Sequence, residues 1–305
     1  MPERERSRTR RAGRPLPKVR ARARAGRPRP SGPRPAVVAL LTDFGHQDHY
    51  VGAVKGAVVA ACPGVALLDV GHEVPPHDVL SAAFSLAACY RAFPAGTVFV
   101  AVVDPGVGSD RRPLALEAGG YLFVGPDNGI FTLVLADSPR ARVHRITNEA
   151  LWGPGRSRTF HARDIFGPVA GRLAGGTALA RVGPAVRDPV LLPIPEVRRV
   201  SADEWIASVL HVDRFGNLTT TLTETQLDEI LAGAGGDPNG FVVAVEGVVM
   251  PLARAYADVA EGEACALVGS SGRLEVAVHK GNASRLLGAG RGAPVTVRKA
   301  FSSRP

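Results

Sequence analysis

The sequence predicts an α/β N-terminal domain built on a mostly parallel sheet, followed by a C-terminal all-β barrel. Up to about residue 190, apolar runs of strand length alternate with segments of helical periodicity. A proline-broken stretch follows, and beyond it the apolar segments are short and strand-like. Taken in order, AVVALLTD (36–43) is a continuous apolar run rich in Val and Leu. Tyr50, Val51, Val54 and Val58 then recur at helical spacing, as do Val79, Ala82, Ala83, Leu86 and Tyr90. VALLDV (65–70) and TVFVAVVD (97–104) read as two more buried strands, and YLFVGPDNG (121–129) as a strand ending in a turn. RDIFGPVAGRLAGG (163–176) reads as a helix that stops at its glycine pair.

LLPIPEVRRV has the composition of a linker. After it, SVLHVD, NLTTTL, FVVAVE, CALVG and LEVAVH are strand candidates. In the last, Leu274, Val276 and Val278 alternate with Glu275, Ala277 and His279, the pattern of a strand buried on one face. AGAGGDPNG (232–240) reads as a flexible loop. The chain therefore divides into a basic arm over 1–35, an α/β domain over 36–192 and a barrel over 200–300, with no internal repeat.

The formal charge of +9 suggests a nucleic-acid binder until it is located. Residues 1–35 carry 13 of the 37 basic and 2 of the 28 acidic residues, which leaves 24 basic and 26 acidic residues elsewhere. The body is not basic. The arm is dense in Arg, Pro and Gly without an apolar run, so it reads as a disordered extension. Only this arm offers clustered charge to nucleic acid, and it lacks aromatic residues for base stacking. No segment has the length of a membrane span or a signal-peptide core. Cys62, Cys89 and Cys265 form no C-x-x-C pair and read as small buried hydrophobes. A reduced, soluble, cytoplasmic protein is expected.

In open parallel sheets, ligands bind beyond the carboxyl ends of the strands. Three strands here end in polar clusters: Thr42-Asp43-Phe44-Gly45, Asp69-Val70-Gly71-His72-Glu73 and Asp104-Pro105-Gly106-Val107-Gly108. A single Asp at such a position is explained by a helix cap or an Asx turn, whereas three at one sheet edge point to a site. Neither a G-x-x-x-x-G-K-[ST] loop nor a G-x-G-x-x-G after a strand is present. The pairs His46/His49 and His72/His77 lack a third ligand at metal spacing and read as surface or capping histidines, so no metal is expected.

Six short motifs remain, in order: TDFG-x-x-D-x-YVG-x-x-KG (42–56), DPGVGSDRR (104–112), GPDNG (125–129), TFHARDIFGPVA (159–170), VDRFGN (212–217) and GSSGRLEVAVHKGNA (269–283). Together they resemble the S-adenosylmethionine hydrolases that form adenosine, the hydroxide adenosyltransferases, which are relatives of fluorinating and chlorinating enzymes. The resemblance spans about residues 36–300. It implies hydrolysis of S-adenosylmethionine to adenosine and methionine, no cofactor, and a homotrimer with sites between subunits. It also implies that Asp104, Arg111 and His161 surround the attacking water and that Asp43 binds both ribose hydroxyls. Asp213 and Ser270 are implied to hold the methionine ammonium and carboxylate. Phe215 and Asn217 are implied to meet the adenine by stacking and hydrogen bonding, with Asn282 and Ala283 near the base edge.

Each of the three central residues also has an ordinary explanation. Asp104 could begin the Pro-Gly turn, Arg111 could be solvated beside Arg112, and His161 could cap the following helix. Ala162, Gly167 and His279 stand where the resemblance leads one to expect Gly, Ala and Asn. Two other readings compete: halide transfer to the same carbon, and a sensor that binds S-adenosylmethionine or adenosine without turning it over.

Overall fold

Strands of continuous apolar residues can bury both faces only when helices cover each side, and the first half of the chain is built this way. The computed structural model describes residues 36–233 and 240–300. The arm over 1–35 and most of the AGAGGDPNG segment lie outside the described residues. Strands β1 (Val37–Thr42), β2 (Ala66–Gly71), β3 (Val98–Val102), β4 (Pro113–Ala118), β5 (Tyr121–Pro126) and β6 (Arg142–Arg145) form one sheet in the order β2-β1-β3-β5-β4-β6. The pairings β1–β2, β1–β3 and β3–β5 are parallel, and β4 joins β5 and β6 antiparallel.

Helices α1 (Tyr50–Ala61), α2 (Val79–Cys89), α3 (Thr132–Ala136) and α4 (Gly167–Ala174) cover this sheet. Val38 and Leu40 of β1 share a core with Val54 and Val58 of α1 and with Val169 and Leu173 of α4. Ala39 and Leu41 face the opposite core, with Ala82 and Leu86 of α2 and Val134 of α3. The segment predicted as one helix over 163–176 is two pieces: a wide π turn over Ala162–Phe166, then α4, which ends at Gly175. Strand β2 corrects the expectation of burial. It lies at the sheet edge and Leu68 is exposed, because β1 pairs it on one side only. Of the cysteines only Cys265 is fully buried; Cys62 and Cys89 are half-buried.

The strands of the second half pair antiparallel. Its strands are β7 (Arg198–Ser201), β8 (Glu204–Val212), β9 (Leu218–Thr223), β10 (Phe241–Val245), β11 (Val248–Pro251), β12 (Ala264–Val268), β13 (Arg273–Val278) and β14 (Pro294–Lys299). They run in the order β11-β10-β14-β8-β9-β13-β12, with β7 beside β8. A parallel bridge between Leu252 and Ala266 brings the two ends together, so the sheet is a nearly closed barrel. Helices α5 (Glu224–Ala232) and α6 (Ala283–Leu287) pack on it, and α5 opens with a capping box between Thr223 and Gln226. Strand β13 is buried on both faces rather than one: Cys265, Leu267 and Ala277 form a second small cluster under Ala253 and Val259. Glu275 is therefore buried. It accepts a 2.7 Å hydrogen bond from the Tyr256 hydroxyl, and burial raises its carboxyl pKa.

Several contacts bolt the two halves together. Arg291 donates to both carboxylate oxygens of Asp78, the N-cap of α2, and at 2.7 Å to the Ser81 hydroxyl. His211 stacks on Phe84 at 4.6 Å between ring centres. Leu210 packs with Phe84 and Leu133.

Helices α1 and α4 meet closely because Gly171 has no side chain. A Cβ there would stand 2.7 Å from the Val58 carbonyl oxygen and 2.8 Å from the Ala61 methyl. Gly171→Ala is expected to cost about 1–3 kcal/mol of unfolding free energy, since backbone must move to admit the methyl. Urea denaturation measures this, and a loss below about 0.5 kcal/mol would mean the helices shift freely.

Candidate functional site

Because β1, β2 and β3 are parallel neighbours, the three polar clusters emerge at one edge of the sheet. Asp104 lies two residues past the end of β3. Its backbone carbonyl accepts the Val107 N–H at 3.2 Å and so does open a turn, but its carboxylate is turned to Arg111. Arg111 Nε lies 3.0 Å from each carboxylate oxygen, and Nη2 lies 2.5 Å from Oδ2. The same Nη2 donates to His161 Nδ1 at 2.8 Å. The side chains of Arg111 and Asp104 are only 8% and 5% exposed, so Arg111 is not a solvated arginine. Its guanidinium carbon also stands 5.2 Å from the centre of the Phe166 ring. His161 occupies the cap position before the π turn, yet its side chain caps nothing.

The tautomer follows from the partner. A guanidinium has donors only, so Nδ1 is the acceptor and a neutral His161 carries its proton on Nε2. Burial, then the Arg111 charge, holds the imidazole pKa below its ordinary 6.5, which keeps the ring neutral at pH 7.

Asp104 and His161 line a cavity of about 520 Å³ together with Asp43, Phe44, Tyr50 and Phe160. Asp43 Oδ2 accepts the His77 backbone N–H at 2.9 Å, leaving Oδ1 for another donor. His77 takes a left-handed φ of 67°, a rare conformation for a non-glycine residue of the kind that clusters at sites. Phe44, Tyr50 and Phe160 form an aromatic wall, with ring centres 5.3 to 6.1 Å apart. Arg163 covers Phe160 at 5.0 Å and pairs with the buried Asp164, which also fixes the loop through the Ser157 N–H at 2.7 Å. Reasoning from sequence missed this wall and His77, although Phe44, Tyr50 and Phe160 all stand inside the quoted motifs.

The six remaining candidates are elsewhere: none of Asp213, Phe215, Asn217, Ser270, Asn282 and Ala283 lines this cavity. Asp213 organises its own loop. Oδ1 accepts the Phe215 and Asn217 N–H groups at 2.9 Å each, and Oδ2 accepts from Asn217 Nδ2 at 3.1 Å. Gly216, at φ 87°, lies against Asn282, and a Cβ there would stand 2.1 Å from the Asn282 amide carbon. Asn282 caps α6 through the Arg285 N–H at 2.8 Å. These contacts gather Asp213, Phe215, Asn217 and Asn282 at one place, with the Phe215 side chain projecting 73% exposed. Ala283 is buried beside them, and Ser270 is exposed on the turn between β12 and β13.

The GPDNG motif is a brace for the site. Asn128 donates to the Val103 carbonyl, next to Asp104, at 2.8 Å. Asp127 is buried, pairs with Arg112 at 2.5 Å and accepts the Val190 N–H at 2.8 Å, tying the linker down. Among the described residues no group of three or more His, Cys, Asp or Glu side chains is arranged to hold a metal ion.

The models of the SAM hydroxide adenosyltransferase N-terminal and C-terminal domains match residues 38–183 and 207–296. The chain belongs to the SAM hydroxide adenosyltransferase family. Two relatives bear the name (R)-S-adenosyl-L-methionine hydrolase. The one from Thermus thermophilus is 39% identical over 85% of this chain and 98% of its own. That from Salinispora tropica is 42% identical over 82% and 93%. A fluorinase from Nocardia brasiliensis also matches, at 27% identity over 81% of this chain and 91% of its own. Among solved structures, an uncharacterized conserved protein from Thermotoga maritima superposes with a TM-score of 0.79 at 34% identity. It covers 86% of this chain and 100% of the other. No described helix is long and apolar enough to cross a membrane.

Asp104→Ala would leave the Arg111 charge buried with only an imidazole for company. A loss of about 3–5 kcal/mol is expected, the usual cost of orphaning one member of a buried ion pair. Chemical denaturation reads it directly, and an unchanged midpoint would mean that solvent reaches Arg111 freely.

Proposed function

We propose that the protein hydrolyses S-adenosyl-L-methionine at ribose C5′ and releases adenosine and L-methionine. The observation that carries this reading is the buried Asp104–Arg111–His161 chain on the wall of a cavity that also holds Asp43. It stands in a chain whose relatives at 39% and 42% identity are named for this hydrolysis.

The sulfonium is its own good leaving group. When the C5′–S bond breaks, its electron pair returns to sulfur and methionine departs as a neutral thioether, so no general acid is needed. The difficulty is the nucleophile, because bulk water has a pKa near 15.7. With Nδ1 already accepting from Arg111, neutral His161 orients a water through Nε2–H rather than taking its proton. The water keeps a second lone pair for C5′. Asp104 Oδ1, which among the described residues accepts only from Arg111 Nε, has capacity to accept a proton as the new O–C bond forms. Holding the water in line with the scissile bond removes several kcal/mol of barrier, in the manner of an intramolecular reaction. This chemistry calls for no metal or organic cofactor, and a small metabolite as substrate suits a cytoplasmic enzyme. Asp43 Oδ1 and Oδ2 are suited to the vicinal ribose hydroxyls.

The second half of the site is supplied by a neighbouring subunit in a homotrimer. The support is the separation within one chain of two candidate sets, Asp43, Asp104 and His161 on one cavity and the Asp213–Asn217 loop away from it. The exposed Phe215 ring is then free to stack on the adenine of the adjoining cavity.

Halide transfer to C5′ is the competing reading, and a charged, hydrogen-bonded nucleophile site favours water over a dehydrated halide. Chromatography of the products separates them. Equal amounts of adenosine and methionine are expected with or without chloride or fluoride, falling roughly a hundredfold or more in His161→Ala and Arg111→Ala. A 5′-halogenated adenosine would move the protein to the other chemistry. Binding without turnover in the wild type would make it a sensor.

Mixing two inactive variants tests the shared site. His161→Ala damages one half and Asn217→Ala the other. After co-refolding, about one quarter of interfaces in randomly mixed trimers combine two intact halves, and activity returns to that level. A site contained within one chain gives no recovery.

A further inference from the structure

Of the three polar clusters at the sheet edge, the Asp69–Glu73 segment contributes nothing to the cavity of Asp43, Asp104 and His161. Yet it holds the most completely hydrogen-bonded histidine of the protein. His72 is 1% exposed, which corrects its reading as a surface or capping residue. Its Nε2 lies 2.9 Å from Asp69 Oδ1, and its Nδ1 lies 2.8 Å from the Thr42 hydroxyl. Its backbone carbonyl accepts the Gly45 N–H at 2.8 Å. Outward, Lys55 Nζ donates to Asp69 Oδ2 at 2.7 Å. Inward, the Thr42 hydroxyl oxygen accepts the Phe44 N–H at 3.3 Å. The register of β1 on β2 slips between Leu40, opposite Asp69, and Leu41, opposite Gly71, and this irregularity falls where the chain is formed.

The directions of these bonds are consistent from end to end. A carboxylate only accepts, so Nε2 carries a proton toward Asp69. In the neutral ring Nδ1 then accepts from the Thr42 hydroxyl, whose lone pair takes the Phe44 N–H. Burial raises the Asp69 pKa, but hydrogen bonds from Lys55 and His72 outweigh it and hold the carboxyl below its ordinary value. The inward contacts, from the His72 ring to Thr42, from Thr42 to Phe44 and from the His72 carbonyl to Gly45, end on the four residues Thr42 to Gly45, on either side of Asp43. A residue that merely filled the core would be apolar, because burying an imidazole costs free energy unless both nitrogens are partnered.

We propose that His72, oriented by Asp69 and acting through Thr42, is a positioning residue that fixes the Asp43 carboxylate for a vicinal diol. The inference rests on the ribose role proposed above for Asp43. The strand-end turn is held from one side by the His72 side chain and from the other by its carbonyl, so Asp43 has little freedom to follow a nucleoside that offers one hydroxyl instead of two. The device therefore acts on sugar recognition rather than on the water at His161.

The test uses the full chain as it assembles and compares calorimetric affinity for adenosine and 2′-deoxyadenosine. Thr42→Val keeps the shape and removes the hydroxyl, Thr42→Ser restores it, and His72→Phe fills the space without hydrogen bonds. Wild type is expected to prefer adenosine. In Thr42→Val and His72→Phe the preference should fall by roughly five- to thirtyfold, the scale of one lost hydrogen bond at a preorganised site. Affinity for 2′-deoxyadenosine should stay near wild type, and Thr42→Ser should recover the preference. If His72→Phe does not fold, the Thr42 pair carries the test alone. An unchanged preference in Thr42→Val, or an equal loss of both nucleosides, overturns the proposal. Asp43→Ala separates the two ideas. A preserved preference there sinks the ribose reading and this inference with it, whereas a collapsed preference beside an unchanged Thr42→Val sinks the inference alone.

Discussion

The burial of one guanidinium governs the architecture around the cavity. Arg111 cannot shed its charge, and in a low-dielectric setting each of its donors needs a partner of complementary geometry. Asp104 supplies a carboxylate in the plane of the fork and His161 a ring nitrogen, at 2.5 to 3.0 Å. Meeting those distances fixes the loop after β3, the residues before α4 and the tautomer of the imidazole together. The wide turn over Ala162–Phe166 follows directly after His161, and π turns of this kind are characteristic of functional sites.

The surrounding polar side chains extend that fixation outward. Asn128 holds the carbonyl beside Asp104, Asp127 draws the linker onto the sheet, and Asp164 secures the segment leading to His161. The second half has its own equivalent in Asp213, whose carboxylate is consumed in shaping the Phe215–Asn217 loop. Both halves thus use an acidic residue to build a rigid loop. They differ in what the loop presents: a recessed charged chain in one, a projecting aromatic ring in the other.

Much of this was legible in the sequence, because burial on both sheet faces writes itself as unbroken apolar runs. Strands β1 and β3 and helices α1 and α2 fall where periodicity puts them, and the change to an all-β half is visible at the proline-broken linker. Strands β4, β6, β7, β11 and β14 were not anticipated, and β7 begins inside the stretch read as a linker. PLALEA, RVHR and VVMP are too short or too mixed to read as strands, and RVHR finds its partner β4 only across the intervening β5 and α3. Helix α5 could have been found, since Thr223 and Gln226 spell a capping box. His72 and Glu275 were misread for a common reason. Their burial depends on Thr42, Asp69 and Tyr256, which no local pattern around either residue reveals. The motifs named Asp104, Arg111 and His161 but not their order, with the arginine standing between a carboxylate and an imidazole.

The described sheets also treat their margins differently. The barrel joins its first and last strands at Leu252 and Ala266. Strand β6 is shielded by Ala185, which bridges to His144, and by Val186, whose N–H reaches the Val143 carbonyl. Strand β2, paired by β1 on one side only, presents an open margin where a stray extended segment could dock. Midway along it, Asp69 is held by Lys55, so a strand approaching this margin meets an ion pair, a recognised deterrent to edge-to-edge pairing. Extension of the ladder from this margin is thereby opposed by charge rather than by a covering element.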